Sequence, residues 1–467
     1  MTAIETDYLV IGAGAAGMSF VDALIDANHD CDVVMVDRRD APGGHWNDAY
    51  PFVQLHQAAA CYGVNSRPLG ADRLEDHGLN AGLYERADSV QLCDYFRRVL
   101  DEHHLASGQV RFFPMSNYLG LESAEVAFVA ALTGAATEVT VRRAVVDARY
   151  LEPTIPSRHT PSFAIDADVR CVSVNELPDV SEPATGYTIV GGGKTGSDAC
   201  TWLLEHGVDP DRIRWVRARD AWIWNRAYLQ PLELVTDTID GVSRCVEASA
   251  EADGIDDLFA RLEACGQLHR LDEQVTPTMY HGATLTVAEV ELLRTIEHVV
   301  RLGHVNAIHA DGIVLERGTI PTDRGQLHVD CSAAGLGKAP ACPIFEPGRI
   351  TLQCISTVFP TFNAAAIGFL EGSRGDDQVA KSRLAPTNRY PETAGDWIPN
   401  MHGQLRSLEL WNAEPDMATW LESSRLNLVR GMFDKANEPR MAEAITRLLT
   451  YTEPAMTNLE KLHTTAA

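Results

Sequence analysis

Short apolar runs alternate along this chain with segments in which apolar residues recur every three or four positions. The segment "DYLVIGAGAAG" begins with an apolar run that predicts a strand, and "MSFVDALIDAN" follows with helical spacing. A second apolar run, "CDVVMVDRRD", predicts another strand. The order strand, helix, strand predicts an α/β fold with a parallel sheet.

The first strand leads into the glycine pattern Gly12-x-Gly14-x-x-Gly17, and the second strand ends at Asp37. Such glycines form a tight turn and let pyrophosphate approach a helix N-terminus, while the acid can bind a ribose hydroxyl. We therefore predict a dinucleotide site here. Its candidate contact residues are Gly12, Gly14, Ala15, Ala16, Gly17, Asp37 and Arg38.

The pattern recurs in "GYTIVGGGKTGSDACTWLLEHG", and the strand after it ends at Arg217 and Arg219 instead of at an acid. Arginine suits the 2′-phosphate of NADPH, whereas an acid would favour NADH. NADH stays an alternative because Asp220 follows the arginines. A second alternative is that the two arginines are only solvated surface residues. The candidate contact residues are Gly191, Gly193, Lys194, Thr195, Gly196, Arg217 and Arg219.

Two such sites predict two dinucleotides, FAD at the N-terminal site and a nicotinamide coenzyme at the internal one. The 467 residues are too many for one core, and the net charge of −26 argues against nucleic acid or an anionic membrane as the main partner. No apolar run has the roughly 20 residues that span a bilayer. Scattered cysteines without metal-like spacing and an N-terminus without signal-peptide features predict a cytoplasmic protein with no metal site.

After the first acid come "GGHW" and "YP", which are Gly43, Gly44, His45, Trp46, Tyr50 and Pro51. The order of the two fingerprints, this segment and the arginines resembles the flavin-containing and Baeyer–Villiger monooxygenases. The resemblance implies two Rossmann-like domains, one for FAD and one for NAD(P)H. It also implies that Gly44, His45 and Trp46 lie beside the flavin.

In those families a polar side chain six residues after the tyrosine lies near the reactive edge of the flavin, and here that position is His56. Histidine could donate a hydrogen bond or exchange a proton near neutral pH, although a packed core histidine is the alternative. Arg226 follows an aromatic segment where the resemblance implies contact with coenzyme or substrate. The alternative for Arg226 is an aromatic patch between domains.

The resemblance implies four regions: residues 1–175 as the first part of the FAD domain, 183–310 as the NAD(P)H domain, 311–380 as the second part of the FAD domain, and 381–467 as a helical C-terminal region. We expect a helical insertion at about 240–303 that covers the active site, with a turn in "TPTMYHGATL". The segment "LHVDCSAAGLG" is expected to return the chain to the FAD domain. The C-terminal helices are expected to pack on the core or to form a homodimer contact.

The resemblance implies an FAD-dependent, NAD(P)H-consuming monooxygenase that forms a C4a-(hydro)peroxyflavin and passes oxygen from O2 to a small organic substrate. One departure from the family favours another activity: the FxGxxxHxxx(W/Y) motif is missing before the second fingerprint, where only His159 is a candidate. A reductase or dehydrogenase without oxygen transfer is therefore the first alternative. A nucleotide-binding redox sensor without turnover is the second.

Overall fold

The chain folds around two parallel β-sheets, and each has a glycine fingerprint at the carboxyl end of a central strand. The computed structural model describes residues 2–120, 126–335 and 339–466. The strands are β1 (Thr2–Ile11), β2 (Val33–Val36), β3 (Val110–Phe113), β4 (Ser116–Tyr118), β5 (Ala127–Ala130), β6 (Ala136–Asp147), β7 (Ala164–Ile165), β8 (Cys171–Ser173), β9 (Gly186–Val190), β10 (Ile213–Val216), β11 (Ala221–Asn225), β12 (Leu268–His269), β13 (Met279–Leu285), β14 (Val299–Val300), β15 (Val305–Ile308), β16 (Gly312–Leu315), β17 (Gly318–Pro321), β18 (Gln326–Asp330), β19 (Phe345–Glu346) and β20 (Arg349–Thr351). The helices are α1 (Ala15–Ala27), α2 (Ser89–Val99), α3 (Lys194–Glu205), α4 (Val235–Glu251), α5 (Ile255–Ala264), α6 (Val287–Arg294), α7 (Pro360–Arg374), α8 (Gln378–Leu384), α9 (Ala394–Asn412), α10 (Pro415–Ser423) and α11 (Pro439–Ala466).

The first sheet has the strand order β19-β20-β6-β1-β2-β3, and β4 and β5 extend it beside β6. Strand β1 pairs in parallel with β2 and β6, and β20 pairs in parallel with β6. Helices α1 and α7 pack against each other over this sheet. Tyr8, Leu9 and Val10 of β1 are fully buried, which explains why a strand covered on both faces has a continuous apolar run.

The second sheet has the order β14-β10-β9-β18-β8, and every pair in it is parallel. Its core includes Ile189 of β9 and Trp215 of β10, both buried. The predicted fold class, α/β with two Rossmann-like sheets and a helical C-terminal region, is confirmed.

The expected helical insertion is only partly helical. Helices α4, α5 and α6 fall in or beside residues 240–303, but β12 and β13 pair with β11 in a three-stranded sheet. The segment "TPTMYHGATL", expected to be a turn, forms β13, and its Tyr280 is buried in a core with Trp222 and Phe259. Helix α6 ends at Arg294, before the expected end of the insertion, and β14 follows because Val299 and Val300 pair with the edge of the second sheet.

The chain returns to the first sheet later than expected. The strand of "LHVDCSAAGLG" is β18, which pairs with β9 and β8 of the second sheet, while Leu336 and Gly337 lie outside the described residues. The first sheet resumes only with β19 and β20. Strand pairing therefore contradicts the expected change at residue 311, and β8 already belongs to the second sheet although it precedes residue 175. The rest of the domain division stays a prediction.

Candidate functional site

The first fingerprint loop joins β1 to α1 and is held by the acid at the end of β2. A Cβ atom on Gly17 would lie 2.1 Å from the Gly12 carbonyl oxygen, so only glycine lets α1 approach the strand this closely. Asp37 is buried and accepts hydrogen bonds from the backbone N–H groups of Ala13 (2.7 Å) and Arg39 (2.8 Å). The structure therefore brings Asp37 to the loop as the fingerprint requires. Ala15 and Ala16 begin α1, and Arg38 forms an exposed ion pair with Glu152.

The second fingerprint loop repeats this geometry between β9 and α3. A Cβ on Gly196 would lie 2.1 Å from the Gly191 carbonyl oxygen, as at the first loop. Gly193, by contrast, has no heavy atom of the described residues within 4 Å of its Cβ position, and it precedes Lys194, the first residue of α3. The helix N-terminus thus has open space in front of it, where an anion could lie against free N–H groups.

The "GGHW" segment packs directly on the first loop. The N–H of Gly43 donates to the Ala13 carbonyl (2.9 Å), and a Cβ on Gly44 would lie only 2.8 Å from Gly14 Cα. Trp46 Nε1 donates to the Tyr62 hydroxyl (2.9 Å), and the indole contacts the cores of both sheets. Burial lowers the pKa of the neighbouring His45 to about 4, so this imidazole is neutral at neutral pH.

A buried bond joins this segment to the second fingerprint. The Tyr50 hydroxyl donates to Asp198 Oδ2 (2.6 Å), and Lys194 forms an ion pair with the other oxygen of the same carboxylate. The Lys194 side chain is only 9% exposed, and burial lowers its pKa. Thr195 hydrogen-bonds to Tyr50 as well. The two fingerprints therefore meet in one place. We call it the junction and define it as Tyr50, His56, Lys194, Asp198 and Arg226.

His56 lies in this junction. Its carbonyl oxygen accepts hydrogen bonds from Thr284 Oγ1 (2.6 Å) and Arg226 Nε (3.3 Å), which fix the backbone there. The ring is exposed, yet burial lowers the pKa of His56 well below its usual value, with further lowering by Lys194 and Arg226. Solvent reaches part of the ring, while many protein atoms and two cations surround the rest of it. The imidazole is neutral near pH 7, which contradicts the expectation that it exchanges a proton there.

Arg226 does not reach coenzyme or substrate. It is 0% exposed, and every nitrogen of its guanidinium group contacts protein acceptors. These acceptors are the carbonyls of His56 and Thr284, the amide oxygen of Asn80 (3.0 Å) and both oxygens of Glu289 (2.8 and 3.3 Å). The expectation of a direct contact is therefore wrong. Arg226 instead positions the backbone of His56.

Only one of the two arginines after β10 can meet a ligand. Arg217 is buried, its guanidinium lies 4.8 Å from the centre of the Trp215 ring, and it pairs with Asp220 at 3.1 Å. Arg219 is exposed, and among the described residues it forms no ion pair. The expectation that both side chains read a 2′-phosphate is therefore corrected to Arg219 alone, because Arg217 is held inside the domain.

Sequence reasoning missed the residues that connect these parts. Asp198 lies four residues after Lys194, a spacing that places both on one face of α3 and could have been noticed. Glu289 belongs to a "TVAE" capping box at the start of α6, a motif that predicts a helix N-terminus. The motif does not predict the ion pair that Glu289 forms with Arg226. His159, the alternative candidate, hydrogen-bonds to Ser332 (3.1 Å).

Other kinds of site were also searched for among the described residues. In that part of the chain no group of three or more histidine, cysteine or acidic residues could hold a metal ion, and every cysteine is free. None of the described helices is long and apolar enough to cross a membrane.

The fold and the paired loops define a protein with two dinucleotide-binding units. Residues 10–62 match the family of NAD(P)-binding Rossmann-like domains. The polycyclic ketone monooxygenase of the fungus Thermothelomyces thermophila has the same fold, with a TM-score of 0.50 and 13% identity over 97% of this chain and 90% of that one. The fold that the resemblance implied is therefore confirmed.

Two mycobacterial relatives are much closer in sequence. They are the uncharacterized proteins Rv2000 of Mycobacterium tuberculosis strain H37Rv and Mb2023 of Mycobacterium bovis, each 42% identical over 95% of this chain and 82% of its own length. The chain belongs to the family of these proteins.

Proposed function

We propose that this chain is an FAD-dependent, NADPH-consuming monooxygenase that acts on a small organic molecule with O2 as second substrate. The observation that carries the proposal is the junction: the Tyr50–Asp198 bond joins the two fingerprints, and the backbone of His56 is bonded to Arg226 and Thr284 beside it. A chain that binds two dinucleotides there can bring a hydride donor to a flavin.

The first loop fits FAD. Its helix N-terminus offers N–H groups to a pyrophosphate, and Asp37 holds the loop through Ala13. Gly44 leaves no room for a side chain beside Gly14, so the backbone itself would line the cofactor. When bound, FAD supplies hydride acceptance and oxygen activation. The chain's own part is to hold the cofactor, and Trp46 and Tyr62 help to exclude water.

The second loop fits NADPH. The open space at Gly193 leaves room for a pyrophosphate, and exposed Arg219 can pair with a 2′-phosphate. Lys194 begins the helix after this loop and lies close to His56. Burial, Arg226 and Arg86 lower the pKa of Lys194, while Asp198 raises it, and the net change is a lowered pKa. The neutral ring of His56 can donate one hydrogen bond and accept another at neutral pH.

Anaerobic reduction followed by mixing with oxygen tests the proposal. NADPH should bleach the flavin absorbance of the purified holoprotein. With oxygen, a monooxygenase passes through a species distinct from both reduced and oxidised flavin, whereas a reductase returns directly to the oxidised spectrum. The missing FxGxxxHxxx(W/Y) motif favours the reductase, so a direct return would replace the proposal with that alternative.

A matched variant identifies the site of reduction. In Gly196→Ala the new methyl group would meet the Gly191 carbonyl, so we expect NADPH to reduce the flavin far more slowly. Dithionite should still reduce it, which shows that the flavin remains bound. Equal rates of NADPH reduction in both proteins would contradict the assignment of NADPH to the second loop.

A further inference from the structure

One cavity lies outside the residues described so far. It has a volume of about 520 Å³, in the range of small-molecule sites, and lies between the segment after residue 59 and helix α2. Much of its wall is apolar, including Ala59, Pro68, Leu69 and Ala87. An apolar organic molecule therefore fits its body.

Positively charged side chains outnumber negatively charged ones in the lining of this cavity. Three arginines line it against two carboxylates, although the whole chain has a net charge of −26. At the rim, Arg98 pairs with Asp94 (2.9 Å), and its side chain is 56% exposed. Arg67 pairs with Glu102 on the surface. The remaining arginine is Arg86.

Arg86 is buried and poorly paired. Its side chain is 8% exposed, and within the described part of the chain it donates no hydrogen bond. The nearest carboxylate oxygen, on Glu289, lies 3.6 Å away and already accepts from Arg226. Its Nε is fully buried without a partner, so the terminal nitrogens are the ones that keep accessible surface. Burying a guanidinium whose N–H donors have no acceptor costs free energy. A ligand that accepts hydrogen bonds from these donors would remove that cost.

Arg86 also connects the cavity to the junction. Glu289 lies between Arg86 and Arg226, and Arg226 in turn donates to the His56 carbonyl. The charge of Arg86 contributes to lowering the pKa of both His56 and Lys194, so it lies close to them. A molecule whose charged group pairs with Arg86 would therefore be held close to His56.

We propose that this cavity binds the organic substrate and that the substrate is a carboxylic acid whose carboxylate pairs with Arg86. The inference rests on the function proposed above and names the substrate class of that site. A carboxylate supplies two acceptor oxygens in the planar geometry that a guanidinium matches. The apolar wall then holds the body of the acid.

Calorimetric titration of the FAD-loaded protein with benzoate and its neutral isostere benzamide, without NADPH, tests this. Benzoate should bind roughly 10- to 100-fold more tightly than benzamide, the scale of a charge-assisted hydrogen bond. Arg86→Gln should remove that preference, and Arg86→Lys should keep part of it. Arg98→Gln, at the rim, should change the preference by less than about 3-fold because exposed pairs contribute little.

Equal binding of benzoate and benzamide by the unaltered protein would overturn the inference even if Arg86→Gln does not fold. So would an unchanged preference in a folded Arg86→Gln protein, or inorganic phosphate that binds as tightly as benzoate. These outcomes are separate from those of the proposed function, because reduction of the flavin by NADPH is measured without any acid. A protein that NADPH does not reduce loses the proposed function whether or not benzoate binds.

Discussion

The two glycine fingerprints have the same backbone but different surroundings. At both, the third glycine approaches the carbonyl of the first so closely that a Cβ would lie 2.1 Å from it. The first loop is then covered by Gly44 and held by Asp37, while at the second no atom in the described part of the chain lies within 4 Å of the Cβ position of Gly193. The glycine spacing therefore sets where a dinucleotide can lie, and the surroundings decide how enclosed it becomes.

This difference suits two cofactors with different lifetimes on the protein. A resident flavin needs enclosure, and a nicotinamide coenzyme that leaves after each turnover needs an open approach. The hydrogen bonds from Arg226 to His56 and Asn80 and the Tyr50–Asp198 bond hold the two regions together. Variants in the junction should therefore affect both regions, and variants in one loop only that loop.

The largest effect is expected from Arg226→Met, which breaks the junction. It leaves the buried Glu289 without its hydrogen-bonded cation, with Arg86 at 3.6 Å and Lys194 as the remaining neighbouring charges, and such broken pairs cost about 3–5 kcal/mol of unfolding free energy. Urea unfolding measures this. The control Arg261→Met removes an exposed ion pair with Asp257 and should cost less than about 1 kcal/mol. Similar losses in both variants would show that the junction is not a special source of stability.

The next effect concerns His56. In His56→Ala the protein should fold and keep FAD, because Gly12 to Gly17 and Asp37 carry that binding. The oxygen-dependent step should slow by about 100-fold, the scale of one positioned hydrogen-bond donor. Stopped-flow reoxidation of the reduced protein measures the rate. A normal rate would reduce His56 to a packing residue whose carbonyl alone is used by Arg226 and Thr284.

Arg219→Ala should distinguish the two loops. Loss of a charge-assisted bond to the 2′-phosphate should weaken NADPH binding by about 10- to 100-fold and leave NADH almost unchanged. Arg38→Ala is the matched control, since Arg38 follows β2 much as Arg219 follows β10, and it should not alter NADPH binding. Equal losses with NADPH and NADH in Arg219→Ala would exclude a role in reading the 2′-phosphate.

The sequence alone predicted the local parts of this molecule better than the distant contacts. Glycine spacing and apolar runs predicted both loops, because these depend on residues that are neighbours in the chain. They did not predict that protein acceptors surround the guanidinium of Arg226 or that the side chain of Arg217 is buried against Trp215. Both contacts depend on residues that are distant in the chain or lie in the tertiary fold, such as Asn80. Strand β18 was assigned to the wrong sheet for the same reason, because an apolar strand pairs equally well with either.

The smallest effect is expected from pH. The pKa of His56 is lowered well below its usual value of 6.5, so the ring takes up a proton only at a pH far below neutrality. Between about pH 6.5 and 8 it therefore stays neutral, and its ionisation adds nothing to the pH dependence of reoxidation. Stopped-flow rates of the unaltered protein and of His56→Gln should differ in size but follow curves of the same shape. A rise or fall near pH 6.5 that is present in the unaltered protein and absent from His56→Gln would show that the ring titrates there, and that the neighbouring cations Lys194 and Arg226 do not keep it neutral.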